Sequence, residues 1–150
     1  MTRHSLRTLI ELARARTDEA ARQLGRLTAQ ERAVEERLKL LTAYRAQYQS
    51  RLMTSVREGL SYAALQNYRA FMDTLDRAIA QCRDQLAAAR ARRQAGQAQW
   101  HDKRRELKSF ETLDERARRV EQAKNARAEQ RQLDERAARA LIFPSTDPTE

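Results

Sequence analysis

Glycine, proline and aromatic residues are scarce in this sequence. Of 150 residues, three are glycine and two are proline, and the prolines, Pro144 and Pro148, lie near the end of the chain. A β-rich domain needs many tight turns built from Gly, Pro or Asn, and a nucleotide-binding α/β fold needs glycine at its phosphate turns. The sequence therefore excludes both classes. Its abundance of Ala, Leu, Arg, Glu and Gln is typical of long helices.

Cysteine and long apolar runs are also lacking. Cys82 is the only cysteine, so no internal disulfide can form. No run approaches the ~18 apolar residues that span a bilayer. Residues 1–16 are rich in arginine and faintly resemble a targeting peptide, but they contain Glu11 and their helical periodicity continues without a break. We expect a cytoplasmic protein that does not insert into the membrane.

Residues with the chemistry of an active site are few and scattered. His4 and His101 have no partners at metal-ligand spacing, and no glycine-rich loop could hold a phosphate. Cys82 lies on an apolar helical stripe, which favours an inert buried thiol. Asp134 and Glu135 are adjacent, so they point to different sides of a helix. We expect no catalytic residue, no metal site and no cofactor.

Apolar residues recur in steps of three and four along two stretches of the chain. The first series is Leu6, Ile10, Ala13, Thr17, Ala20, Leu24, Leu27, Glu31, Val34, Leu38, Leu41, Arg45, Tyr48 and Leu52. The second is Leu65, Tyr68, Met72, Leu75, Ile79, Cys82, Leu86, Ala89, Arg93, Gly96, Trp100, Lys103, Leu107 and Phe110. Each series is longer than the three or four heptads that indicate a coiled coil. Between them, Gly59 can end one helix and Ser61 can cap the next.

The two series predict an all-α fold, a long antiparallel two-helix coiled-coil hairpin that forms a single domain over 1–141. We expect helices at about 4–55 and 61–141, a turn at about 56–60 and a disordered tail over 142–150. Folding the chain at Gly59 pairs Leu24 with Arg93, Ala20 with Gly96 and Thr17 with Trp100. This register places the large indole ring opposite small residues, as close packing requires.

The second helix is expected to be longer than the first. The first helix has no residues with which to cover anything beyond about Leu113, so 114–141 should project as a single helix. A helix with so thin an apolar stripe is only marginally stable alone in water. The projecting segment therefore indicates a binding partner.

A second apolar stripe lies beside the seam near the predicted turn. It consists of Phe71, Leu75, Ala78 and Cys82, with Tyr44 beside it on the first helix. A two-stranded coiled coil cannot bury both the seam and this stripe fully. Two interpretations stay open: a locally wider core, or an exposed docking site for another protein.

Positive charge is concentrated in the second helix. The net charge is +9, and residues 83–108 contain eight basic and three acidic side chains. Such a region could attract nucleic acid, an anionic membrane or an acidic protein, or it could be a solvated face. Apart from Trp100, no aromatic residues are interleaved with the basic ones, which argues against nucleic acid. The alternative function from these features is a basic nucleic-acid-associated or scaffolding coiled coil.

Several short patterns follow one another in a recognisable order. They are Leu38-Lys39-Leu40-Leu41 with Tyr44 and Tyr48, Asn67-Tyr68 with Phe71, Leu75 and Ala78, Leu113 with Glu115-Arg116, and Arg127, Gln130, Leu133-Asp134-Glu135, Ala137 and Arg139. In this order and spacing the chain resembles the FliJ family, the small coiled-coil component of the flagellar type III export apparatus. The resemblance runs from about Leu6 to Arg139, and it leaves open a relative from an injectisome.

The resemblance implies a non-enzymatic stalk with three kinds of partner: the hexameric export ATPase, the cytoplasmic domain of the export-gate membrane protein, and export chaperones. It also implies a cytoplasmic location at the inner membrane, with no nucleic acid bound. The residues expected to bind the export gate are Phe71, Leu75, Ala78, Cys82, Tyr44 and Tyr48. Those expected to bind the ATPase ring are Arg116, Arg119, Arg127, Arg131, Asp134, Glu135 and Arg139.

Overall fold

The computed structural model describes residues 2–143, and these form two long α-helices. Helix α1 spans Arg3–Glu58 and helix α2 spans Tyr62–Ile142, with 56 and 81 residues respectively. No strand occurs in this part of the chain. The predicted all-α class with a longer second helix is confirmed. Of the tail expected over 142–150, Ile142 ends α2, and residues 144–150 lie outside the described residues.

The turn between the helices is built by glycine and serine, as the sequence predicts. Gly59 has a φ of +97°, in the left-handed region that favours glycine, and its N–H donates to the Val56 carbonyl at 3.3 Å. The Ser61 hydroxyl oxygen accepts a hydrogen bond from the Ala64 N–H at 3.2 Å, which caps α2. Both capping predictions are confirmed.

The described residues fall into two units, and each is treated by itself. Residues 15–104 form a helical hairpin around the turn. Its helices are antiparallel, because Arg45 of α1 binds Asp76 of α2 while Glu31, earlier in α1, binds Arg93, later in α2. Its buried residues all belong to α2. They are Leu75, Ile79, Cys82, Leu86, Ala89 and Gly96.

The seam follows the predicted periodicity throughout. All 14 positions of each predicted series are buried or half-buried. The core is a narrow line of contacts, as expected for two helices that pack with each other alone. This confirms the coiled-coil prediction residue by residue.

The pairing around Gly96 differs from the predicted register. A Cβ atom on Gly96 would lie 2.6 Å from Leu27 Cδ1 and 4.0 Å from Leu24 Cα, so Gly96 packs against these leucines and not against Ala20. Thr17 donates its hydroxyl to the carbonyl of Lys103 at 3.2 Å, although Trp100 was expected at that level. The predicted register is therefore wrong here, by three residues at Thr17 and by four or more at Gly96. Side chains on a helix lean toward its N-terminus, and pairing by residue number alone ignores this lean.

The second unit consists of residues 2–14 and 105–143. Its short stretch of α1 buries three apolar residues and is bound to α2 by ion pairs of Arg3 with Glu121 at 2.6 Å and of Arg14 with Glu111 at 3.4 Å. The buried residues are Leu6, Ile10 and Ala13. From Glu115 to Phe143 every residue is exposed. Within this unit, therefore, the end of α2 has no covering partner.

Neither helix, within residues 2–143, contains a segment long and apolar enough to cross a membrane.

Candidate functional site

Four aromatic rings join the two helices near the turn. This aromatic cluster consists of Tyr44, Tyr48, Tyr68 and Phe71. The Tyr48 ring lies 4.5 Å from Phe71 and 5.1 Å from Tyr68 between centroids, and Tyr44 meets Phe71 edge-on at 6.2 Å. Tilted and edge-on contacts at these distances are the favoured geometries for aromatic pairs. The cluster holds α1 and α2 together and presents part of its surface to solvent.

The outer part of the cluster is accessible. Tyr44 is 45% exposed, whereas Tyr48, Tyr68 and Phe71 are half-buried. Leu40, one helical turn before Tyr44, is 71% exposed. Sequence reasoning did not single out Leu40 as a site residue, although its spacing of four from Tyr44 places both on one face. The result is an apolar surface on α1 beside Phe71.

The predicted stripe on α2 is divided between core and surface. Leu75 and Cys82 are 6% and 3% exposed, so they belong to the core. Phe71 and Ala78 are half-buried. The Cys82 thiol lies 3.7 Å from the Val34 carbonyl oxygen and donates to it. Of the four residues, only Phe71 and Ala78 offer side-chain surface to a partner.

An ion pair connects the helices close to the cluster. Arg45 Nε donates to Asp76 Oδ1 at 2.5 Å. This hydrogen bond and the guanidinium charge hold the pKa of Asp76 below its usual value, and the carboxylate raises the pKa of Arg45. The pair fixes the level of α1 against α2 where the aromatic cluster packs.

The second candidate surface is the exposed segment, residues 115–143. Its largest apolar side chains are widely separated, and Val120 and Leu133 are 64% and 58% exposed. It carries eight basic and five acidic residues, an excess of three positive charges. The segment is therefore a mixed-charge helix with small apolar patches along its length.

Some charges of the exposed segment are paired within the helix and others are not. Arg119 donates to Glu115 at 2.7 Å, and Gln130 donates to Asp134 at 3.1 Å. Arg116, Arg127, Arg131 and Arg139, among the described residues, have no carboxylate within ion-pair distance. Glu135 and Asp134 lie among these arginines. The predicted ring-binding residues thus share one helix, and most of its arginines are free to pair with carboxylates elsewhere.

The basic region 83–108 is partly neutralised by the fold. Glu31, whose side chain is 15% exposed, binds Arg93 at 2.5 Å and Arg90 at 3.7 Å. The Arg104 guanidinium lies over the Trp100 ring, 4.7 Å from its centroid. Arg90, Arg93 and Arg104 are therefore engaged in contacts inside the hairpin.

No group of three or more His, Cys, Asp or Glu side chains that could hold a metal ion occurs among residues 2–143.

Comparison with known proteins identifies the family. The profile of the family described as "Flagellar FliJ protein" matches residues 2–143. A flagellar FliJ protein of Salmonella typhi is 34% identical over 143 residues, which cover 95% of this chain and 97% of the relative. A flagellar FliJ protein of Escherichia coli strain K12 is 33% identical over 138 residues, which cover 92% of this chain and 94% of the relative. The chain therefore belongs to the family of flagellar FliJ proteins and is a component of flagellar protein export.

Proposed function

We propose that this chain is a non-enzymatic coiled-coil stalk of the flagellar type III export apparatus, located in the cytoplasm and bound peripherally at the inner membrane. Family membership supports the export role. The observation that carries the stalk proposal is the exposed segment, a continuous helix without any buried residue. A helix of this kind is marginally stable alone, so a partner that surrounds it would stabilise it.

The proposed partner of the exposed segment is the hexameric export ATPase. Inserted into the ring, the segment would present a band of arginines along one side, because 116, 119, 127 and 131 fall within about 120° around the helix. Arginine forms bidentate, charge-assisted hydrogen bonds with carboxylates, so acidic residues of the ATPase are the expected contacts. Asp134 and Glu135 place two negative charges on this basic segment, and these charges can fix its orientation in the ring.

Charge reversal in the full-length chain tests this proposal. The variant Arg127→Glu, Arg131→Glu, Arg139→Glu should lose about tenfold or more of its stimulation of the ATPase, because three charge-assisted contacts become repulsive. The matched control is Arg51→Glu, Arg57→Glu, Arg69→Glu, which makes the same change in net charge on exposed residues near the turn. Equal stimulation by the two variants would show that ring binding does not depend on the exposed segment.

We propose that the aromatic cluster and the accessible part of the stripe bind the cytoplasmic domain of the export gate. Tyr44 and Phe71 supply aromatic surface, Ala78 permits close approach, and Tyr48 supports both rings from the seam. Leu75 and Cys82 lie in the core beneath and hold this surface in place. Aromatic side chains on a rigid support are frequent anchors of protein interfaces.

Residues of this surface and exposed apolar residues elsewhere in the unit should behave differently in capture experiments. Tyr44→Ala with Phe71→Ala should abolish capture of the gate domain and leave helicity by circular dichroism almost unchanged. The control is Met53→Ala with Val56→Ala, which removes exposed apolar side chains of the same unit. Capture that is lost equally in the control, or kept in the aromatic variant, contradicts the assignment.

Export chaperones are the third proposed partner, on the strength of the family resemblance. The alternative of a nucleic-acid-associated coiled coil is less well supported, because Arg90 and Arg93 share an ion pair with Glu31 and Arg104 covers Trp100.

A further inference from the structure

A shallow groove runs along the hairpin unit beside its single tryptophan. It has a volume of about 580 Å³. Ala21, Gly25 and Ala29 form its floor, since a spacing of four residues places them on one face of α1. The wall is the half-buried Trp100 ring. The floor has almost no side-chain bulk, so a second helix could approach the α1 backbone closely here.

Gly25 has no role in the packing of the chain itself. A Cβ atom at this position would meet nothing within 4 Å, and the backbone there is helical with no positive φ. Glycine in the middle of a helix is destabilising relative to alanine. Gly96 differs, because a Cβ there would collide with Leu27. Close approach by another molecule would account for a glycine that the fold of this chain does not require.

The rim of the groove is positively charged. Arg32 lines one end, and Arg104 stacks over Trp100. Within residues 2–143 neither arginine has a carboxylate in ion-pair distance. Two carboxylates of α1 in this stretch are already engaged, since Glu19 binds Arg22 at 3.0 Å and Glu31 binds Arg93 at 2.5 Å.

We propose that this Trp100 groove binds an acidic amphipathic helix of a partner protein. The apolar face of that helix lies on Ala21, Gly25 and Ala29 against the indole ring, and its carboxylates pair with Arg32 and Arg104. The Thr28 hydroxyl is already bonded to the Leu24 carbonyl at 2.8 Å, so it requires no polar partner in the bound helix. This binding site goes beyond the ATPase-binding and gate-binding surfaces proposed above and uses none of their residues.

The fluorescence of Trp100, the only tryptophan in the chain, reports directly on the groove. The full-length protein is titrated with a synthetic amphipathic helix that has leucine at every third or fourth position and glutamate elsewhere. A counterpart peptide has lysine in place of glutamate. We expect saturable binding of the glutamate peptide with a change in Trp100 emission, and about tenfold weaker binding of the lysine peptide.

Two variants locate the binding. Gly25→Leu places a side chain in the groove, where its Cβ meets nothing within 4 Å, and should weaken binding of the glutamate peptide about tenfold while helicity is kept. Ala46→Leu, an exposed position on the same helix, is the matched control and should bind as the unaltered chain does. Arg32→Glu with Arg104→Glu should reverse the preference in favour of the lysine peptide.

Four results would overturn the proposal. The first is absence of binding by the glutamate peptide, and the second is unchanged binding in Gly25→Leu. The third is concentration-dependent self-association that Gly25→Leu removes, which would assign the groove to a second copy of the chain. The fourth is an oligonucleotide that alters Trp100 emission where the glutamate peptide does not, which would assign the groove to nucleic acid.

Discussion

Two stretches of α2 have similar compositions and very different surroundings. Between 75 and 96, a buried or half-buried residue recurs every three or four positions, whereas between 115 and 143 every residue is exposed. Both stretches are rich in Ala, Arg and Gln. The two stretches therefore have similar helix propensity. They differ in whether α1 carries an apolar series that packs against them. Tertiary pairing, more than intrinsic propensity, stabilises helices in proteins.

The polar contacts differ between the hairpin and the exposed segment in the same way. In the hairpin, Glu31 and Arg93 join the two helices, and their side chains are 15% and 27% exposed. In the exposed segment, Glu115 and Arg119 are on one helix and are 63% and 74% exposed. Water screens the second pair more strongly. Ion pairs between the two helices therefore fix the tertiary structure, whereas ion pairs within one helix only support that helix.

The largest expected difference comes from truncating one leucine in each region. Leu75→Ala should lower the free energy of unfolding by about 2–4 kcal/mol, because it leaves a cavity in the core. Leu133→Ala changes an exposed side chain and should cost less than about 0.5 kcal/mol. Urea denaturation followed by circular dichroism measures both. Similar losses for the two variants would mean that the exposed segment is packed in the free chain.

A smaller difference is expected from the ion pairs. A double-mutant cycle with alanine at Glu31 and Arg93 should give a coupling energy of about 1–2 kcal/mol, since both groups are largely shielded from water. The same cycle at Glu115 and Arg119 should give about 0.3–0.5 kcal/mol. The cycles are measured by denaturation at low and moderate salt. A larger coupling energy for Glu115 and Arg119 than for Glu31 and Arg93 would contradict this expectation.

The smallest effect concerns pH. The folded hairpin lowers the pKa of Asp76 and that of Glu19, which binds Arg22 and Arg26. Lowered values mean that the unfolded chain binds protons more readily, so this stabilisation is present above about pH 4 and is lost as the pH falls through the folded-state pKa values. Asp76→Asn should flatten the dependence of stability on pH in the acidic range. An unchanged profile would show that the Arg45–Asp76 pair has no such effect.

The sequence predicted the seam and the turn because both depend on short-range rules. Steps of three and four residues determine which side of a helix is covered, and Gly59 and Ser61 have the backbone and capping properties that a turn between helices needs. It also predicted that α2 has residues beyond the cover of α1, since the predicted second helix continues to about 141 whereas its apolar series ends at Phe110.

Side-chain detail could not be predicted in the same way. The stripe from Phe71 to Cys82 lies about one position from the seam, and a small rotation of the helix decides which members are buried. The structure places Leu75 and Cys82 in the core and leaves Phe71 half-exposed. The sequence did not predict the Trp100 groove, because Ala21, Gly25 and Ala29 line a groove only when the indole ring lies beside them.

Hydrogen exchange of the full-length chain, alone and with the hexameric export ATPase, tests the central claim most directly. In the free chain, amides of 75–96 should exchange slowly and those of 123–143 quickly, since only the first stretch is stabilised by pairing. Adding the ATPase should protect 123–143 strongly and leave 75–96 almost unchanged. Slow exchange of amides 123–143 in the free chain, or no added protection of these amides in the complex, would contradict the claim that this helix is unpaired when free and is stabilised by the ATPase.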